Sequence, residues 1–218
     1  MDADGFVLVA HAADDDAIAT VLTDLTDDAR RTRAGVRGAL ARPSVRALAD
    51  ALAGLAGSAL SGPAFPFRAT LFDKSTQANW LVSWHQDTVL PVVARLDAPG
   101  WGPWTTKAGV LHAIAPAPAL ERVIALRIHL DDSTADNGPL RVLPGSHGHG
   151  VLSDAASDRR VASFAPVTCL AKRGDVLLMR PLLLHASSKG TSAAPRRVLH
   201  VEYATDRTLP GGLTLADA

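Results

Sequence analysis

The hydrophobic pattern of the chain changes period near residue 65. Before that point the apolar positions are spaced for helices. Ile18, Val21, Leu22 and Leu25 share one helical face. Asp14-Asp15-Asp16 precede them and complement the positive end of a helix dipole, which predicts a helix from 14 to about 28. Pro43 suits a first helical turn, and Val45, Leu48, Leu52 and Leu55 form the stripe of a second helix to about 55. Gly57-Ser58-Ala59-Leu60-Ser61-Gly62-Pro63 closes it. Ahead of both, Gly5-Phe6-Val7-Leu8-Val9 is a short apolar run that reads as an edge strand. Residues 30–42 are basic and broken by glycines, and read as a solvated loop rather than a binding patch.

From Phe65 the period becomes two. Arg68, Thr70, Phe72 and Lys74 alternate with Ala69, Leu71 and Asp73, as in a strand. The pattern continues through 77–82 to a second strand at 83–88. Residues 90–106 lack a period and are rich in Pro, Gly and Trp, the character of a functional loop or lid. Strands are expected at 123–130, 140–143, 167–170, 176–179, 182–185 and 197–203. Asn137-Gly138 and Lys172-Arg173-Gly174-Asp175 mark turns, 153–162 reads as a polar helix or loop, and 209–218 as a tail. Two helices followed by many short strands predict a mainly β chain with flanking α-helices, a β-sandwich or jelly roll. One domain over 1–218 is expected, with helices at about 14–56 and the core at about 65–205.

Composition narrows the class without changing that picture. Apolar residues make up 47% and charged residues 20% of the 218, which is ordinary for a packed core. Lys and Arg total 22, as do Asp and Glu, so the formal net charge is zero. That argues against nucleic acid or an anionic membrane as the main partner and leaves a small molecule. The single Cys169 excludes an intramolecular disulfide and any Cys-based zinc site, so a reducing, cytoplasmic setting is expected. The acidic start Met1-Asp2-Ala3-Asp4 lacks the basic region of a signal peptide, and no apolar run is long enough to cross a bilayer.

Trp84-His85-Gln86-Asp87 adds chemistry. On a strand, His85 and Asp87 project to the same side, and one imidazole with one carboxylate supplies two ligands of a facial triad for Fe(II). The third must be a distal His, and His185 is the best candidate. Arg196 follows eleven residues later, the order expected for an iron site beside an anion site. His147 and His149 sit in a Gly-rich turn and read as structural, while His112, His129 and His200 read as packing or pocket residues. Trp80, Trp84, Trp101 and Trp104 line a substrate pocket or simply pack. Arg127 and Arg180 meet an acidic substrate or sit in internal ion pairs, and Lys74 faces either the co-substrate or the surface.

Six stretches together carry a family resemblance. They are Phe72-Asp73-Lys74, Trp84-His85-Gln86-Asp87, Asn137-Gly138-Pro139-Leu140-Arg141-Val142-Leu143-Pro144-Gly145-Ser146-His147, Gly174-Asp175-Val176-Leu177, His185-Ala186-Ser187-Ser188 and Arg196-Arg197-Val198-Leu199. With these the chain resembles the phytanoyl-CoA dioxygenase-like family of Fe(II)/2-oxoglutarate-dependent oxygenases over nearly its whole length. The resemblance implies a double-stranded β-helix, cupin-like core and a hydroxylase that uses Fe(II), 2-oxoglutarate and O2. It implies iron binding by His85, Asp87 and His185, and capture of the distal carboxylate of 2-oxoglutarate by Arg196 with help from Ser187. Lys74 is a further co-substrate candidate, and Trp84, Trp101, Trp104 and Arg127 are substrate candidates. Asp87 occupies the position that is a small residue in related halogenases, which favours hydroxylation. Two other readings stay open: a cupin-like metalloprotein that does not use 2-oxoglutarate, and a non-catalytic binding or sensor protein on the same fold.

Overall fold

A computed structural model describes residues 1–218 apart from Arg33 and Gln77. Gln77, the first residue of the predicted run 77–82, lies outside the described residues. In chain order the elements are β1 (Phe6–Val9), α1 (Asp15–Thr26), β2 (Arg31–Thr32), β3 (Gly35–Arg37), α2 (Pro43–Ala51), α3 (Ala53–Leu60) and β4 (Phe65–Lys74). Then follow β5 (Val82–His85), β6 (Val89–Val92), β7 (Trp104–Lys107), β8 (Val110–Ile114), α4 (Ala117–Leu120), β9 (Val123–His129) and β10 (Leu140–Val142). The chain closes with α5 (Asp154–Ser163), β11 (Val167–Cys169), β12 (Val176–Met179), β13 (His185–Ser187) and β14 (Arg196–Ala204).

These strands form antiparallel sheets. The large sheet runs β1-β12-β9-β14-β4-β3-β2, a four-stranded sheet runs β11-β10-β13-β5, and β6-β8-β7 form a third. This is the mainly β, helix-flanked jelly roll of the cupin type. The large sheet is covered on both faces, so all of β9 is buried. Ile124, Leu126 and Ile128 join the helix-side core with Leu71, Leu199, Val201, Ile18, Val21 and Leu25. Ala125 joins Leu140, Val142, Leu177 and Met179 in the core between the two main sheets. Each fully buried Leu or Ile contributes about 1.5–3 kcal/mol, so this double burial is what fixes the register of β9. Tyr203 on β14 adds a tie, donating from its hydroxyl to the Ala49 carbonyl at 2.9 Å and locking α2 to the sheet.

Several elements differ from the sequence expectation. Residues 30–42 are not a solvated loop: β2 and β3 extend the large sheet, and Val36, Ala39 and Leu40 are buried. Gly35 makes this approach, because at φ +133° it lies so close to the Leu71 carbonyl that no Cβ fits. The single helix expected from 43 is two helices parted at Leu52, and the second ends at Ser61 in a left-handed conformation rather than at Gly57. Within 90–106, Leu90–Val92 belong to β6 and Trp104–Thr106 to β7, so the irregular part is shorter than predicted. The expected strand at 182–185 starts only at His185, and the one at 83–88 ends at His85. The tail is docked: Leu209, Leu213 and Leu215 are buried in a core with Phe67 and Leu90, and Leu215 bridges Val92. No described helix is long and apolar enough to cross a membrane.

Candidate metal centre and anion site

Two cross-strand pairs on facing sheets build the site. In the four-stranded sheet, His85 at the end of β5 lies directly opposite His185 at the start of β13, with ring centroids 4.1 Å apart. Asp87 is just past the strand end, so simple alternation does not place it. Instead its amide donates to the Pro181 carbonyl at 2.9 Å, and Gln86 clamps the corner. The Gln86 amide donates to Leu182 and Gly150 carbonyls, and its oxygen accepts from Leu152 N. The segment before His185 is held likewise: Ser146 Oγ accepts from Leu184 N at 2.8 Å and donates to Leu143 O at 2.7 Å. The Pro144–His147 stretch is thus structural, and His147 lies against the Asp2 carbonyl.

The result is a compact donor set. Ligand atoms from His85, Asp87 and His185 lie within 4.8 Å of one another, the one such cluster among the described residues. His85 Nε2 is 3.8 Å from Asp87 Oδ1, and His185 Nε2 is 3.6 Å from Asp87 Oδ2. Each Nδ1 faces a carbonyl, of Ser83 at 2.8 Å and of Leu183 at 2.9 Å. A carbonyl only accepts, so both Nδ1 atoms carry the proton and both Nε2 lone pairs are free to ligate. Burial, against the pull of Asp87, pushes His185 down to about 4 and keeps it neutral. Burial works against the Asp87 carboxylate, but His185, His200, His85 and Arg68 outweigh it and hold its pKa near 2. Two neutral imidazoles and one carboxylate in this arrangement fit a divalent iron.

The second pair lies in the large sheet, where Lys74 on β4 is directly opposite Arg196 on β14. Both side chains are almost fully buried, at 2% and 3% exposure. Like charges facing across a ladder repel, and among the described residues no acid pairs with either: Arg196 Nε has no hydrogen-bond partner there, and Lys74 Nζ donates to Ser187 Oγ at 2.6 Å and Ser188 O at 2.7 Å. Arg127 adds a third buried cation without an ion pair, its Nη1 3.3 Å from His200 Nδ1. Burial, then Arg196 and Arg127, lowers Lys74 to about 8, while burial and Arg127 lower Arg196 to about 9. None of these three cations makes an ion pair among the described residues, a charge pattern that suits an anion with two carboxylates. The neighbouring Arg197 points the other way and pairs with Asp131 at 2.6 Å, as alternation requires.

These groups border two cavities that meet at the histidine–aspartate cluster. The inner one, about 150 Å³, is lined by Trp80, Arg127, His185, Ser187 and Arg196 among others. The outer one, about 450 Å³, carries Arg68, His112 and Glu202. His85, Asp87, Phe72 and His200 border both. Three of the expected substrate residues are elsewhere. Trp84 precedes His85 on β5, faces away from it, and packs under Arg141 at 5.4 Å. Trp101 packs in the core with the docked C-terminal segment, its Nε1 donating to the Pro210 carbonyl at 3.0 Å. Trp104 sits in the same core with Arg95 5.5 Å above it. Arg127 alone of that set reaches the site. Arg180 makes no ion pair; it donates to the Ala59 and Glu121 carbonyls. The sequence reading passed over the Arg68–Glu202 pair and Phe72, though the polar alternation of β4 was the signal for them.

Comparisons with known proteins agree with this geometry. The chain is 26% identical over 179 residues to the L-proline trans-4-hydroxylase of Streptomyces griseoviridis, covering 70% of this chain; it spans 59% of the length of that curated relative. The crystal structure of AviO1 from Streptomyces viridochromogenes Tue57 superposes with a TM-score of 0.69 at 25% identity, over 97% of this chain and 94% of that one. EctD from S. alaskensis, solved with 2-oxoglutarate and 5-hydroxyectoine, shares the fold at a TM-score of 0.69 and 19% identity, over 94% of this chain and 73% of that one. The phytanoyl-CoA dioxygenase (PhyH) profile matches residues 1–198, and the chain belongs to the phytanoyl-CoA dioxygenase family.

Proposed function

We propose that the protein is a non-haem Fe(II)/2-oxoglutarate-dependent dioxygenase that hydroxylates a small organic molecule while 2-oxoglutarate and O2 become succinate and CO2. One observation carries this reading: a facial donor set with both Nε2 atoms free lies beside buried Lys74, Arg127 and Arg196, none of which makes an ion pair among the described residues. His85, Asp87 and His185 hold the iron. Arg196 grips the distal carboxylate of 2-oxoglutarate by its planar fork, which suits a carboxylate better than an ammonium does. Lys74, oriented by Ser187 Oγ and the Ser188 carbonyl, places a second charge beside it. Arg127, held by His200, faces the same inner cavity. When bound, the iron and its co-substrate supply the oxidising power, and the chain orients them and keeps the inner cavity dry. The substrate enters from the outer cavity, which is large enough for a small molecule. The L-proline hydroxylase relative supports a substrate of amino-acid size.

The test is an anaerobic Fe(II) titration in the presence of 2-oxoglutarate, watching the visible charge-transfer band of the chelate. A band that weakens in Arg196→Ala and is lost in His185→Ala is the expected result. Iron bound by folded protein with no band would overturn the co-substrate assignment and leave a metalloprotein of another chemistry.

A further inference from the structure

The outer cavity says something about the substrate, resting on the oxygenase reading above. Its charges do not cancel. Arg30 is neutralised by Asp28, with Nη2 2.6 Å from Oδ2. Arg68 is neutralised by Glu202 through two hydrogen bonds, one of them 2.6 Å from Nη2 to Oε1. Asp87 is committed to the metal cluster. Of the charged side chains, Arg37 and Lys107 remain. Both line the cavity, both are exposed, and neither has an acid partner among the described residues. Ala218, the last residue of the sequence, also lies against this cavity, held by backbone hydrogen bonds to Phe67 and Ala69. Another lining residue adds a direction. His112, 6% exposed, has Nδ1 at 2.9 Å from the Val110 carbonyl. Nδ1 must therefore be the donor, which leaves Nε2 a fixed acceptor on a residue lining the cavity.

We propose that this cavity selects a small organic oxyanion, with Arg37 and Lys107 taking its carboxylate or phosphate and His112 Nε2 accepting a hydrogen bond from a hydroxyl or ammonium group elsewhere on it. Two exposed cations lining it attract such a substrate from solution, and the buried acceptor orients it toward His85 and Asp87. Specificity then lies in residues that touch neither the metal nor the co-substrate.

Calorimetry on the anaerobic protein loaded with Fe(II) and 2-oxoglutarate tests this with matched probes. L-proline is set against its methyl ester, and glycerol 3-phosphate against glycerol, so that the two arms separate carboxylate from phosphate. Binding confined to the member of each pair that carries the free carboxylate or phosphate is expected. It should weaken by about fivefold in Arg37→Ala or Lys107→Ala, by about thirtyfold in the double variant, and further with added salt. His112→Phe should weaken L-proline, which carries an ammonium donor, more than acetate, which carries none. The 2-oxoglutarate affinity read from the charge-transfer band should stay where it is in all of these variants. Equal binding of the members that lack the carboxylate or phosphate, an affinity indifferent to loss of both cations, or no binding by any carboxylate or phosphate probe to a protein that shows the band would overturn the proposal. Absence of the band itself would instead defeat the oxygenase reading, and the same titrations on the metal-free protein would still decide the charge question.

Discussion

Lys74 and Arg196 face each other with no acid between them, and that fixes how the site responds to pH. Burial and its cationic neighbours lower Lys74 to about 8, so it is charged at neutral pH and loses its proton as the pH rises through that value. A bound dianion favours the charged form. Affinity for 2-oxoglutarate should therefore be flat from about pH 7 to 8 and fall above it. In Lys74→Met the affinity should start lower and lose this decline above pH 8, which calorimetric titration of the metal-free protein against 2-oxoglutarate would show. Arg196→Lys should be almost as damaging as Arg196→Ala, costing about 1–3 kcal/mol of 2-oxoglutarate binding, because the parallel hydrogen bonds go with the fork. At this scale the sequence was informative where chemistry demands a residue type at a spacing: His85, Asp87, His185, Ser187 and Arg196 do converge. It was uninformative for tryptophans, whose composition near a metal motif says nothing of direction, and Trp84, Trp101 and Trp104 all face elsewhere.

Among the elements, the β3–β4 contact and the β14–α2 tie are the ones a single substitution exposes. Gly35 has φ +133° and no room for a Cβ beside the Leu71 carbonyl. Gly35→Ala should thus cost about 2–4 kcal/mol in denaturant unfolding, by backbone strain and displacement of β3. Tyr203→Phe keeps the ring and removes one hydrogen bond to the Ala49 carbonyl, which still accepts from Leu52 N, and should cost about 1 kcal/mol. The strands that were legible, β4, β9 and β14, are long and alternate or are wholly buried. β2 and β3 were not, because five residues rich in Arg and Gly carry no period, and the pairing of β3 with β4 is decided by sequence neighbours more than thirty positions away. The break at Leu52 was hidden for a similar reason: Val45, Leu48, Leu52 and Leu55 keep helical spacing across it.

For the whole molecule, the jelly roll was readable from strand density and turn signals, whereas the docking of the C-terminal segment against β6 was not, because its few leucines lack any period. Stability and ligation are linked at this scale. Fe(II) with 2-oxoglutarate at a hundredfold excess over Kd should stabilise the fold by about 2.7 kcal/mol, a rise in Tm of roughly 5–10 °C. Arg196→Ala should lose most of that rise in a thermal melt, yet its ligand-free Tm should fall less than the loss of so buried a side chain suggests, since it also removes one of two facing like charges. The two ends of the site ride on different sheets, the histidine pair on one and the lysine–arginine pair on the other. The sandwich is in effect a caliper, its opening set by Leu140, Val142, Leu177 and Met179 between the jaws. Repacking one of those side chains would alter how far apart metal and anion grips stand without touching either, and so would tune the bite of the chelate from a distance.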